Sequence, residues 1–84
     1  MNSRQQKTLA AIFCSPTPRN LVWADIESLL LALGCERIEG AGSRVAFLRD
    51  GQKADFHRPH PGKEAKPYQV RDAREFLTRL GVEP

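Results

Sequence analysis

An α+β fold, with a three-stranded antiparallel sheet and helices packed on one of its faces, is predicted by three observations. Two segments carry apolar residues at helical spacing, WADIESLLLALG from Trp23 and YQVRDAREFLTRLG from Tyr68. Between them lies a run of alternating residues broken once by Asp50-Gly51. That dipeptide is a strong hairpin signal, because a two-residue type I′ turn needs positive φ at both central positions.

The elements follow in order. RQQKTLAAIFC (4–14) places Leu9, Ile12 and Phe13 at helical spacing, and Ser15-Pro16-Thr17-Pro18 ends that first helix. In the second helix Trp23, Ile26, Leu29, Leu30 and Leu33 form one apolar stripe, with Gly34 as a left-handed stop. CERIE (35–39) reads as a first strand. Ser43–Arg49 and Gln52–Arg58 read as the hairpin, and Pro59, Pro61, Gly62 and Pro67 keep the next stretch irregular. In the last helix Val70, Ala73, Phe76, Leu77 and Leu80 share a face before Gly81.

Counting outward from Asp50-Gly51 sets the register: Leu48 faces Lys53, Phe47 faces Ala54, Val45 faces Phe56 and Arg44 faces His57. Val45, Phe47, Ala54 and Phe56 are then the core side. Arg44, Ala46, Leu48, Lys53, Asp55 and His57 make a half-polar, solvated side. The order α-α-β-β-β-α contains α-β-β-β-α, the arrangement of double-stranded-RNA-binding domains.

At 84 residues, with 40% hydrophobic and 27% charged residues, the chain is read as one small globular domain, 1–84. No apolar run reaches the ~20 residues a membrane span needs, and the N-terminus lacks a signal-peptide pattern, so a cytoplasmic location is expected. Cys14 and Cys35 have no metal-ligand spacing and read as small buried hydrophobes. No cofactor motif is present: P-loop, GxGxxG, HExxH and nucleophile elbow are all missing.

Net charge is +3 and the pI is about 9.2. The positive charge gathers on the hairpin and its exit loop, in Arg44, Arg49, Lys53, Arg58, Lys63 and Lys66. This favours a polyanionic partner. Metal-free cleavage of RNA needs a base for the 2′-hydroxyl, an acid for the leaving 5′-oxygen and a cation for the phosphorane. His57 and His60 suit acid–base work, because an unperturbed imidazole titrates near neutrality. Arg44 suits the cation. Lys53, Arg58, Lys63 and Lys66 are candidate phosphate contacts, and Tyr68 is a candidate stacking platform for a base. Bland readings stand beside these. Arg44 pairs equally well with Asp55, His57 has a half-buried alternative against the last helix, His60 is an ordinary loop residue, and the lysines serve solubility.

Four segments, DIESLLLALGCE (25–36), GAGSRVAFLRDG (40–51), HRPHPGKE (57–64) and FLTRLGV (76–82), resemble the HicA family of toxins from HicA–HicB toxin–antitoxin pairs. The resemblance implies a double-stranded-RNA-binding-type fold, metal-independent cleavage of messenger RNA, arrest of translation and neutralisation by a HicB-like antitoxin. It also implies a catalytic histidine at the start of the second strand, where this chain has Arg44. The family's downstream histidine corresponds to His60. From the opposing strand, His57 is placed to supply the imidazole across the ladder. The alternative is a non-catalytic RNA-binding module, or an inactive toxin remnant, that still binds an antitoxin.

Overall fold

The computed structural model describes all residues, 1–84. Its elements are α1 (Ser3–Ile12), α2 (Trp23–Ala32), β1 (Glu36–Glu39), β2 (Arg44–Arg49), β3 (Gln52–His57) and α3 (Pro67–Arg79). Helix α1 begins at a reciprocal cap. The Asn2 side chain accepts from the Gln5 N–H at 2.8 Å, and the Gln5 side chain accepts from the Asn2 N–H at 2.9 Å. Helix α2 stops before Gly34, whose φ of +86° is the left-handed conformation that lets the chain turn into β1. Pro67 opens α3 at the position where a missing N–H costs nothing.

The three strands form one antiparallel sheet in the order β1-β2-β3. Asp50 and Gly51 have φ of +52° and +76°, as a type I′ turn requires. That turn sets the hairpin register, Arg49 opposite Gln52 through Arg44 opposite His57, as the sequence predicts. Strand β1 pairs from Glu36 opposite Leu48 to Glu39 opposite Val45.

Helices α2 and α3 cover one face of the sheet, and α1 lies against both helices. The core joins Leu9 and Ile12 of α1, Ile26, Leu29 and Leu30 of α2, Val70, Phe76 and Leu77 of α3, and Val45, Phe47 and Phe56 of the sheet. Phe56 lies between Trp23, at 5.0 Å between ring centroids, and Phe47, at 6.3 Å in an edge-on contact. Phe47 is fully buried. Truncating such a side chain to alanine costs about 3–5 kcal/mol, a large part of what a small domain has.

The other face carries no helix, and Arg44, Lys53, Asp55 and His57 are exposed there. Two details of that face correct the sequence reading. Ala46 is buried and Leu48 half-buried. Both sit on the central strand, between neighbours on β1 and β3. A small side chain at the middle of a sheet is screened by the longer ones beside it, even on a face without a covering layer. The cysteines differ as well. Cys35 is buried, and burial pushes its thiol above the ordinary range, whereas Cys14 lies exposed beyond the end of α1.

Candidate functional site

The site is built at the end of the hairpin farthest from its turn. The ladder runs one step past β3, where the Arg58 N–H donates to the Ser43 carbonyl at 2.8 Å. On its other side Arg44 is bound locally: its carbonyl accepts from the Gly40 N–H at 2.9 Å and its N–H donates to the Ala41 carbonyl at 3.2 Å. Arg44 and His57 are therefore a non-hydrogen-bonded pair, the kind in which opposed side chains come closest, with Cα atoms ~4.5 Å apart in general. Both side chains are exposed on the bare face. They line a shallow depression of about 290 Å³ together with Lys53, Asp55, Ile38 and Ala41.

Glycine fits closely beside this pair. A Cβ on Gly40 would lie 3.0 Å from the Cβ of Arg44. A side chain there would press on the arginine, which would have to give by a few tenths of an ångström. Asp55, an alternative partner for Arg44 on sequence grounds, instead pairs with Lys53 at 3.8 Å along its own strand.

Arg58 is placed differently from the expectation of a free phosphate contact. Adjacent residues on a strand point to opposite faces, so Arg58 turns under the sheet while His57 points out. Its guanidinium donates to Glu27 of α2 at 2.8 and 3.3 Å, and to Glu39 of β1 at 2.8 and 3.0 Å. Arg37 adds a contact to Glu27 at 3.2 Å, and the Trp23 indole N–H donates to the same carboxylate. Burial pushes the Glu27 carboxyl upward. The bonds from Arg58 and Trp23 outweigh that, with the Arg58 charge and the Arg37 bond adding to them, and Glu27 titrates below the usual range. The bond from Arg58 holds Glu39 low as well. Glu39 and then Glu27 raise the pKa of Arg58 in return. Arg58 is thus a structural cation with both faces of its fork occupied.

His60 lies three residues beyond His57, exposed on the loop between β3 and α3, and does not line the depression. That loop is tied down at its far end. The Trp23 N–H donates to the Lys63 carbonyl at 2.9 Å, and the Ala65 N–H donates to the Leu21 carbonyl at 2.7 Å. Lys53, Lys63 and Lys66 are exposed, Lys66 at the N-cap of α3, and Tyr68 is 50% exposed in its first turn.

The profile of the family described as HicA toxin of bacterial toxin-antitoxin matches residues 23–82. The chain belongs to the HicA toxin family. It is accordingly the toxin of a toxin–antitoxin pair, and its partner is an antitoxin. The HicA match runs from the first residue of α2 past the end of α3, so it contains the whole sheet and leaves α1 outside. No curated protein and no solved structure matches the chain. No helix of this HicA-family toxin is long and apolar enough to cross a membrane.

Two HicA-chain residues near the pair escaped the sequence reading. Glu27 sits in an apolar helical stripe as the buried anchor of Arg58. Gln69 is buried at the third position of α3, with its side chain on the His57 carbonyl. A signal for Gln69 was present in Lys66-Pro67-Tyr68-Gln69: a proline at the first helical position and a glutamine two residues later resemble a helix-start pattern. Glu27 has one local partner, Trp23 one helical turn before it, but the cations that hold its charge are 10 and 31 residues away.

Proposed function

We propose that this toxin is a metal-independent endoribonuclease that cleaves messenger RNA in the cytoplasm and thereby blocks translation. The observation that supports this most is the exposed pairing of Arg44 with His57 on the bare sheet face. His57 takes the 2′-hydroxyl proton, and the freed oxygen attacks the adjacent phosphorus. The bond from phosphorus to the 5′-oxygen breaks, leaving a 2′,3′-cyclic phosphate on one fragment and a 5′-hydroxyl on the other. Arg44 stands where the imidazole of the family is expected and neutralises the charge that builds on the phosphorane. His60, on its loop, protonates the leaving oxygen. Lys53, Lys63 and Lys66 hold neighbouring phosphates, and Tyr68 stacks on a base. The antitoxin covers this same basic face with acidic groups, since complementary potential steers association.

Incubating the purified chain with a long RNA in EDTA tests this. Fragments bearing cyclic phosphate ends are expected. His57→Ala should cut the rate by roughly 10²–10⁴-fold, the usual worth of a general acid or base. His60→Ala should slow it too, and each variant should relieve growth arrest in cells expressing the chain alone. A second reading, an RNA-binding toxin that does not cleave, is favoured by one observation: only one of the two imidazoles lines the depression. RNA retained intact in EDTA, with growth arrest indifferent to both alanine variants, would select it.

A further inference from the structure

We propose that Gln69 is a positioning residue for His57, an inference that rests on the ribonuclease reading of the Arg44–His57 pair. Gln69 belongs to α3, on the helix side of the sheet, and is 2% exposed. Its carboxamide makes two hydrogen bonds: Nε2 donates to the His57 carbonyl at 2.6 Å, and Oε1 accepts from the Lys66 N–H at 3.0 Å. The orientation of this amide is fully determined. Turned over, it would set N–H against N–H and oxygen against oxygen.

The His57 carbonyl needs such a partner for a reason that lies in the ladder. His57 forms a non-hydrogen-bonded pair with Arg44, so its main-chain groups point away from β2, off the edge of the sheet. A strand end with a free carbonyl can rotate, and His57 is the last residue of β3. Gln69 closes that edge from α3, and the next residue, Arg58, is held by Glu27 and Glu39. The imidazole is therefore carried on a backbone fixed on both sides: by the Arg58 N–H on Ser43 and by Gln69 on its own carbonyl. Position matters here because small displacements of a reacting group are costly.

A simpler role for Gln69 is helix capping alone, through Lys66. Two substitutions separate the roles. Gln69→Glu keeps the acceptor for the Lys66 N–H but has no amide proton for the His57 carbonyl. Gln69→Met keeps the length and loses both. Capping alone predicts that Gln69→Glu, although it buries a carboxylate and loses stability, leaves the His57 resonances and the cleavage rate of the folded protein unchanged. Positioning predicts that both variants shift the His57 imidazole resonances and slow RNA cleavage by on the order of tenfold.

The decisive measurement needs no variant. In the intact wild-type chain, NMR should detect scalar coupling across the hydrogen bond between Gln69 Nε2 and the His57 carbonyl carbon. Absence of that coupling, or unmoved His57 resonances in Gln69→Glu, overturns the inference. If coupling and resonance shifts are present while wild type fails to cleave any RNA, the ribonuclease reading falls and the tether on His57 stands.

Discussion

Arg44 and His57 face each other across the β2–β3 ladder, six residues before the Asp50-Gly51 turn and six after it. Their proximity is a consequence of register rather than of any contact between the side chains. A ladder treats its two sides nearly alike, so the chemistry should survive an exchange. The double variant Arg44→His/His57→Arg is expected to cleave RNA measurably faster than His57→Arg alone, which lacks the base. Cleavage assays on the purified proteins check this. An inactive double variant that folds normally would show that the imidazole works only from β3, where Gln69 and Arg58 fix its backbone.

Gly40 should be intolerant of a side chain for the sake of Arg44. Gly40→Ala brings a methyl to 3.0 Å from the Arg44 Cβ, and something must give. We expect a stability loss of about 1–2 kcal/mol, typical of overpacking, and a fall in activity larger than that of a substitution at Gly62, where a Cβ meets open space. Thermal melts and cleavage rates of Gly40→Ala and Gly62→Ala provide the comparison.

The ion cluster under the sheet makes stability depend on pH in a defined direction. Glu27 and Glu39 titrate below their ordinary value of 4.5 in the folded chain. On acidification the unfolded chain therefore takes up protons first. The stabilisation is fully present above the ordinary carboxylate range and is lost as pH falls through the depressed folded values. Urea titrations from pH 7 down to pH 3 should show this fall. Glu27→Gln should partly flatten it and cost about 1.5–3 kcal/mol at neutral pH, the usual worth of hydrogen bonds to charged groups, since Arg58 keeps Glu39.

Cations that touch RNA and cations that hold the fold should separate in salt titrations. Lys53→Gln, Lys63→Gln and Lys66→Gln are each expected to reduce the slope of log affinity against log salt by about 0.7, the value for one phosphate contact on a single strand. Arg58→Gln is expected to leave the slope unchanged and to lower the melting temperature, because its guanidinium is occupied by Glu27 and Glu39. Binding isotherms at several salt concentrations, alongside thermal melts, distinguish the two classes.

Local rules were enough for most of the fold. Apolar spacing placed α2 and α3, the prolines after Cys14 closed α1, and Asp50-Gly51 set a hairpin whose register follows by counting. The opposition of Arg44 and His57 belongs with these, since a two-residue turn leaves one register to adopt. Each of these features depends on residues close together in the chain.

The fate of individual charges was a matter for tertiary structure. Arg58 looks like any basic loop residue in sequence, and only the docking of α2 beneath β1 and β3 turns it into an internal anchor for Glu27. The burial of Ala46 depends on its neighbours on two other strands, and the bond from Gln69 to His57 depends on where α3 lands. Side-chain partnerships form between residues brought together by packing, and no periodicity along the chain records them. Residue order alone therefore determined the strand pairing that sets an imidazole opposite a guanidinium. Packing decided which of the surrounding cations are free to meet a phosphate.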